Sequence, residues 1–198
     1  MLLGAIAIVA SNWGAAEGLL RSAIQSMTGL AEAHNHLGVV LAATNREEEA
    51  ALSYERSMAA NSKYVPAPYN MGVLRMKQNR SEEAIRFFQA ALAIRPDYVK
   101  AHDLLASTYR SLGRLEEAIE GYRQAVKHDP KFAEGHYNLG VVLGEKGNLE
   151  EAAPSYEKAL QLRPDFMEAL KNLGAAYLTL SKFTQAICSN TMKARCSN

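Results

Sequence analysis

The stretch GRLEEA at Gly113–Ala118 returns as GNLEEA at Gly147–Ala152, 34 residues later. The same element occurs earlier in the chain as NREEEA at residues 45–50 and as NRSEEA at residues 79–84. A fixed period of this length is typical of a solenoid, in which each repeat buries its apolar face only against its neighbours. The period therefore predicts a continuous array that presents long surfaces rather than one enclosed pocket.

The period divides the chain into four full repeats with a partial repeat at each end. The predicted boundaries are residues 1–30 for the partial N-terminal repeat, 31–64, 65–98, 99–132 and 133–166 for the full repeats, and 167–198 for a partial or divergent C-terminal repeat and tail.

The first ten residues are apolar and could be the core of a secretory signal. However, no Lys or Arg precedes them, and Leu3-Gly4 keeps the register of Leu37-Gly38, so we favour a repeat there.

Each full repeat is predicted to form two helices. Leu139, Val142 and Leu143 have helical spacing in the first, and a Gly or Asn such as Gly147 then ends it. Paired Glu residues open the second helix, where the helix dipole favours negative charge. Pro96, Pro130 and Pro164 close three repeats, because a proline stops a helix.

The recurring positions resemble the tetratricopeptide repeat (TPR) family, whose pattern is W-x2-L-G-x2-Y, then A-x3-F, then P. The fourth full repeat has His136-x2-Leu139-Gly140, then Ala152-x3-Tyr156, then Pro164. The small residues Gly38, Gly72, Ala106, Gly140 and Gly174 are expected to let paired helices approach. The resemblance implies an all-α, right-handed superhelical solenoid of antiparallel helix pairs that acts as a protein-interaction scaffold.

Some positions depart from the pattern. Arg75 stands where an aromatic residue is expected, which predicts a locally looser core. In the last repeat Asn190 and Lys193 replace an aromatic and a small residue, and the tail from Cys188 to Asn198 is not predicted to form a capping helix. The chain is therefore interpreted as a piece of a longer array or a product with an altered end.

Composition narrows the classes of partner. The 22 basic and 21 acidic residues give a formal net charge of +1, so no nucleic-acid or membrane partner is predicted. Two cysteines near the end form neither a disulfide framework nor a zinc motif. We expect a cytoplasmic protein.

The sequence has no phosphate-binding loop, nucleophile elbow or zinc-protease motif. We therefore predict no enzyme activity, no catalytic residue, no metal site and no cofactor. His34, His102 and His136 occupy equivalent places, but adjacent repeats lie about 10 Å apart. Zinc requires its ligands at about 2 Å, so packing in place of the TPR tryptophan is the preferred interpretation.

In TPR proteins the first helices line a concave groove, and this implies a partner-binding groove for a protein or an extended peptide here. Asn70, Asn138 and Asn172 form a column of amides that can pair with a peptide backbone. Valines along the groove would add an apolar strip, and Tyr69 and Tyr137 possible anchors. The full set of predicted groove residues is Asn35, His36, Val39, Tyr69, Asn70, Val73, Lys77, Asp103, Leu104, Ser107, Tyr137, Asn138, Val141, Glu145, Lys171 and Asn172.

Two more specific functions of TPR proteins have recognisable residues in the sequence. The carboxylate clamp of heat-shock co-chaperones is not predicted, because Leu104 stands at the clamp's Arg place and only Asn70 and Lys100 fit. The repeated Asn-Leu-Gly at Asn138 and Asn172 is similar to the substrate arm of O-linked N-acetylglucosaminyltransferases, including the Spindly-like type. An arm of such an enzyme, with no catalytic domain among these 198 residues, remains the alternative function.

Overall fold

The computed structural model describes residues 12–26 and 30–196, with side chains as far as residue 181. Within these ranges the elements are ten α-helices and no strand, so the all-α prediction is confirmed. The helices are α1 Trp13–Ser26, α2 Ala31–Ala43, α3 Glu47–Ala60, α4 Pro66–Lys77, α5 Ser81–Ile94, α6 Val99–Ser111, α7 Leu115–His128, α8 Ala133–Glu145, α9 Leu149–Leu162 and α10 Met167–Cys196. None of them, within the described ranges, is long and apolar enough to cross a membrane.

The helices belong to two compact units, which are described separately. The N-terminal unit ends at Thr108 and the C-terminal unit begins at Tyr109, so the boundary falls inside α6. In the N-terminal unit α2 packs against α3 and α4 against α5, and in the C-terminal unit α8 packs against α9. Each of these pairs joins a first and a second helix through a tight turn.

The turn inside each pair depends on one residue with a left-handed backbone. Its φ is 59° at Asn45, 57° at Asn79, 72° at Gly113 and 86° at Gly147. Gly and Asn tolerate this conformation best, and it lets the next amide bond back to the helix end. The amide of Asn148, for example, donates to the carbonyl of Leu143 at 2.9 Å. The predicted helix breaks are therefore true C-terminal caps.

Close packing within a pair depends on a glycine that faces an aromatic ring. A Cβ atom added to Gly38 would lie 2.5 Å from the Tyr54 ring, and one added to Gly72 would lie 2.7 Å from Phe88. At Gly140 the same atom would lie 2.7 Å from Tyr156. Real Cβ atoms do not approach so closely, so these three glycines permit the observed helix spacing.

At Arg75, where the TPR pattern has an aromatic residue, the structure has a polar contact. The guanidinium nitrogen Nε lies 3.3 Å from the Glu83 carboxylate, and Nη1 donates to Gln78 at 2.7 Å. The side chain is largely buried, and an ion pair replaces ring packing at this position.

The last helix differs from the other first helices because it does not end at the expected turn. It continues to Cys196 as one helix, through part of the tail for which no capping helix is predicted. Ser181 stands 34 residues after Gly147 and lies within the helix. Its hydroxyl donates to the carbonyl of Leu178 at 2.9 Å. Without Gly or Asn at this place no residue favours the left-handed turn, so the helix continues.

Candidate functional site

In the N-terminal unit the predicted groove residues lie on α2, α4 and α6, and two of them form a direct link. The side-chain amide of Asn70 donates to the Asn35 carbonyl oxygen at 2.9 Å. Asn35 is only 3 % exposed, so its amide is a packing group and does not face solvent. The link holds first helices of successive repeats in register, and it occupies part of the hydrogen-bonding capacity of Asn70.

Tyr69 lies in an aromatic cluster next to this link. Its ring centroid is 5.1 Å from that of Tyr98 and 6.0 Å from that of Phe88. Burial, with smaller contributions from Tyr98 and Asp103, raises the pKa of Tyr69. The phenol therefore stays neutral at physiological pH and can serve as a hydrogen-bond donor.

Apolar and charged residues continue along the same helices. Val73 is 39 % exposed, whereas Val39 is half-buried against the core. The Lys77 ammonium lies 2.9 Å from the Glu47 carboxylate and 3.1 Å from the Asn45 side-chain oxygen. The hydrogen bond from Lys77 lowers the pKa of Glu47, so the Glu47 carboxylate stays ionised at neutral pH. Four further residues of the predicted groove are half-buried: His36, Asp103, Leu104 and Ser107.

In the C-terminal unit Tyr137 occupies the place that Tyr69 has in the N-terminal unit. Its ring centroid lies 4.7 Å from that of Phe166 and 6.1 Å from that of Tyr156. The amide nitrogen of Asn172 lies 3.5 Å from the Tyr137 hydroxyl. An asparagine on one first helix again contacts the residue 35 positions earlier, as Asn70 contacts Asn35.

Glu145 is held by an arginine that was not among the predicted groove residues. The Nε atom of Arg110 lies 3.0 and 2.9 Å from the two carboxylate oxygens, and its Nη2 also donates to the carboxylate. The hydrogen bond from Arg110 lowers the pKa of Glu145, although burial opposes it. The carboxylate is thus ionised and neutralised, so it does not present an unpaired negative charge to a ligand.

A cavity of about 350 Å³ opens between α8, α9 and α10 in the C-terminal unit. Its walls are mainly apolar, and its polar side chains are those of Glu145, Tyr156, Asn172 and Thr179. The lining residues are Val141, Gly144, Glu145, Leu149, Tyr156, Asn172, Ala175, Ala176 and Thr179. Gly144 takes the place that Arg110 and Met76 hold in earlier repeats, so the missing side chain contributes to the space.

The structure thus brings together part of the predicted groove. Val141, Glu145 and Asn172 share the cavity, while Tyr137 supports it from the adjacent aromatic cluster. Asn138 is half-buried, and Lys171 is exposed outside the cavity lining.

Several residues of these clusters are not among the groove residues predicted from the sequence. The rings of Tyr98 and Phe166 pack at a tilt against those of Tyr69 and Tyr137, and each is covered by an arginine three residues earlier. The Arg95 guanidinium lies 4.2 Å from the Tyr98 ring, and that of Arg163 lies 3.5 Å from the Phe166 ring. The Arg-x2-aromatic pattern recurs two repeats apart in the sequence. This recurrence could have identified both clusters before the structure was known.

His102 and His136, which occupy equivalent places in successive repeats, make structural hydrogen-bond contacts. A ring nitrogen of His102 lies 2.8 Å from the Pro96 carbonyl oxygen, and one of His136 lies 3.1 Å from that of Pro130. Both contacts tie the start of a first helix to the preceding loop. Among the described residues no group of three or more His, Cys, Asp or Glu side chains is arranged to hold a metal ion.

Family comparison agrees with the repeat and helix pattern. Models described as "Tetratricopeptide repeat" match residues 1–66, 69–98 and 133–166, and one described as "TPR repeat" matches residues 106–147. Together with the helix pairs and their caps, these matches show that the chain is a TPR protein. No curated protein sequence matches it.

Solved structures share this fold. The crystal structure of MamA superposes with a TM-score of 0.74 at 21 % identity, over 85 % of this chain and 98 % of MamA. YrrB, described as a TPR protein with an unusual peptide-binding site, gives 0.69 at 23 % identity, over 85 % and 87 %. MamA 41-end from Desulfovibrio magneticus RS-1 gives 0.72 at 21 % identity, over 82 % and 92 %. At such identities the likeness concerns the fold alone.

Proposed function

We propose that this chain is a non-catalytic scaffold that binds a protein or an extended peptide on the face formed by its first helices. The observation that carries the proposal is the cavity between α8, α9 and α10. Its volume of about 350 Å³ suits one or two side chains of a peptide, and it is open to solvent along one side. Concave, mainly apolar sites with a few polar groups are the usual form of a binding site.

The chemistry of the cavity favours an apolar side chain flanked by peptide backbone. Val141, Leu149 and Ala175 supply apolar wall. Asn172 offers an amide with both donor and acceptor atoms, which suits a peptide group. Because Arg110 already neutralises Glu145, a basic side chain of the ligand has little to gain there.

In the N-terminal unit the equivalent face is a second candidate surface for the same class of ligand. Tyr69 and the exposed Val73 provide ring and aliphatic area, and Lys77 supplies a positive charge. Asn35 is not part of this surface in the proposal, because its side chain is buried. The remaining predicted groove residues are kept as proposed contacts.

Relatives of the same fold support this class of function. TPR proteins are typically non-catalytic scaffolds, and the description of YrrB names a peptide-binding site. We therefore propose that the chain has no enzyme activity. The alternative, an arm of an O-linked N-acetylglucosaminyltransferase, gains no support from the family models that match, which are all TPR models.

The proposed partner is limited to proteins and peptides. The formal net charge of +1 gives no general attraction to nucleic acids or anionic membranes. Leu104 at the clamp's Arg place disfavours capture of a chaperone's C-terminal carboxylate. A cytoplasmic location is proposed on the cysteine content alone.

The first test fills the cavity. The purified chain is used to select ligands from a displayed library of random peptides, and the selected peptide is titrated by fluorescence anisotropy. Ala175→Leu should weaken its binding by about tenfold or more, because Ala175 is exposed and lines the cavity. A tenfold change corresponds to about 1.4 kcal/mol.

The matched control is Ala59→Leu, the same change at an exposed position on α3. It should leave both peptide binding and the thermal melt unchanged. Equal binding by the wild type and Ala175→Leu would show that the peptide does not use the cavity, and the proposed site would then be wrong.

A further inference from the structure

The paired helices inside the chain show which side chain covers a first helix. In three pairs an aromatic ring of the second helix rests on a glycine of the first, at Gly38–Tyr54, Gly72–Phe88 and Gly140–Tyr156. In each, the aromatic residue follows a buried alanine by four positions, as Tyr156 follows Ala152. The internal interface is therefore a small residue on one helix and an aromatic side chain on the other.

Among the described side chains, none packs on the equivalent face of α10. Gly174 stands 34 residues after Gly140, and a Cβ atom added to it would meet no described atom within 4 Å. Tyr177 is 48 % exposed, whereas its equivalents Leu143 and Leu41 are 2 % and 1 % exposed. Leu170 and Leu178 are also more than half exposed. We call Leu170, Gly174, Tyr177 and Leu178 the open face of α10.

The residues that follow along the chain are unsuited to cover this face. Ser181 lacks the left-handed turn of Asn45, Asn79, Gly113 and Gly147, so α10 continues instead of folding back. By register, Asn190 and Lys193 stand where Tyr156 and Ala159 are buried in the preceding repeat. Placing the Lys193 charge in such a position without a partner would be costly. The register therefore places Asn190, and not an aromatic residue, at the position that covers the glycine in the preceding repeat.

The open face and the proposed peptide site occupy different sides of α10. At about 100° per residue, Gly174 and Tyr177 lie about 100–160° around the helix from Asn172, Ala176 and Thr179, which face the cavity. Ligands on the two sides can therefore be tested independently, and the failure of one leaves the other standing.

We propose that the open face of α10 binds an amphipathic helix of another polypeptide that carries an aromatic residue four positions after an alanine. The three internal pairs define this occupant, because they show what packs on the same face at the same register. The aromatic ring rests on Gly174, and the flanking apolar residues of the incoming helix cover Leu170, Tyr177 and Leu178. Helix-in-groove recognition of this kind uses apolar anchors at helical spacing.

The test supplies a second helix in trans. A labelled synthetic peptide with the sequence of Leu115–His128 carries Ala118-x3-Tyr122, and it is titrated against the whole chain by fluorescence anisotropy. Saturable binding is expected. The same peptide with Tyr122→Ala should bind about tenfold more weakly or worse, because a buried aromatic anchor dominates such an interface.

Variants of the protein test whether the peptide binds to the open face. Gly174→Leu and, separately, Leu178→Lys should each weaken binding about tenfold or more. Gly18→Leu is the matched control, because a Cβ atom there also meets nothing within 4 Å. Gly18→Leu should bind the peptide as the wild type does.

Three outcomes would overturn the proposal. The first is the absence of saturable binding by the Leu115–His128 peptide, and the second is equal binding by Gly174→Leu and Leu178→Lys. The third is a dimer in sedimentation velocity that Gly174→Leu dissociates. That result would assign the open face to a second copy of this chain instead.

Discussion

At the scale of single residues, glycines allow the two helices of a repeat to pack closely. Gly38, Gly72 and Gly140 leave the space that an aromatic ring fills, with no room for a Cβ atom. Gly174 has the same place in the register and none of the same contacts. The repeat pattern therefore identifies the position, but only packing shows whether the glycine is required.

Gly140→Leu should destabilise the fold by about 1–3 kcal/mol, because the added side chain would push against the Tyr156 ring. A thermal melt followed by circular dichroism measures the effect. Gly174→Leu is the matched control and should melt no lower than the wild type, since it meets no described atom within 4 Å. Equal loss of stability in the two variants would contradict the assigned packing.

The side-chain amides of Asn35 and Asn70 also have a role that their positions in the repeat do not reveal. Asn35 and Asn70 were predicted as groove contacts, and the structure joins them to each other at 2.9 Å. Removing the Asn70 side chain would leave the buried Asn35 oxygen without this donor, which carries a cost of its own. Substituting this pair would therefore change stability and recognition together, whereas Ala175 has no such buried partner in the cavity wall.

At the scale of helices, one position per repeat decides whether the chain turns back. Left-handed Asn or Gly residues end α2, α4, α6 and α8, whereas Ser181 lets α10 continue for 30 residues in all. A β-carbon makes the left-handed conformation unfavourable by about 1–2 kcal/mol. The length of the last helix thus follows from a single departure from the repeat.

Ser181→Gly should weaken α10 near its middle, since glycine in a helix interior costs about 1 kcal/mol relative to alanine. Amide hydrogen exchange of residues 182–196 should become faster in this variant. Ser181→Ala is the control and should exchange as slowly as the wild type or more slowly. Unchanged exchange in Ser181→Gly would show that the helix does not depend on this residue.

At the scale of the whole molecule, the charges nearly cancel but are locally paired. Arg21 and Arg46 hold the Glu17 carboxylate and, against the effect of burial, lower its pKa. Arg110 lowers the pKa of Glu145 in the other unit. Burial, and then the charge of Arg56, lowers the pKa of His34, whose Nδ1 has no hydrogen-bond partner within the described part of the chain.

These shifts predict that acid destabilises the fold. A group whose pKa is lower when folded contributes stability above its unfolded pKa and loses it as the pH falls through the folded value. The melting temperature should therefore begin to fall below pH 6.5, the ordinary pKa of histidine, and fall further below 4.5, that of glutamate. The first stage is the fall below pH 6.5 and the second is the fall below pH 4.5. Thermal melts at a series of pH values between 8 and 3 measure both stages.

His34→Leu should remove much of the first stage, and Glu145→Gln should reduce the second. Leucine is chosen because Leu170 occupies the same place in the last repeat. A melting temperature that rises on acidification would contradict both assignments.

Several features of this protein were determined by the sequence alone. The 34-residue period, the Gly or Asn at each turn and the Ala-x3-aromatic spacing depend on local conformation and on contacts between neighbouring repeats. Such contacts recur with the period, so a one-dimensional pattern predicts them. The all-α fold and the TPR family are confirmed, while the repeat boundaries and the full set of groove residues stay predictions.

Other features were decided only by the tertiary structure. Burial of Asn35, neutralisation of Glu145 by Arg110 and the cavity beside Gly144 depend on which side chains meet across helices. The open face of α10 depends on a contact that is missing at Gly174, although the glycine itself keeps the repeat. A periodic sequence specifies what each position can pack against, but only the assembled helices determine whether that partner is there.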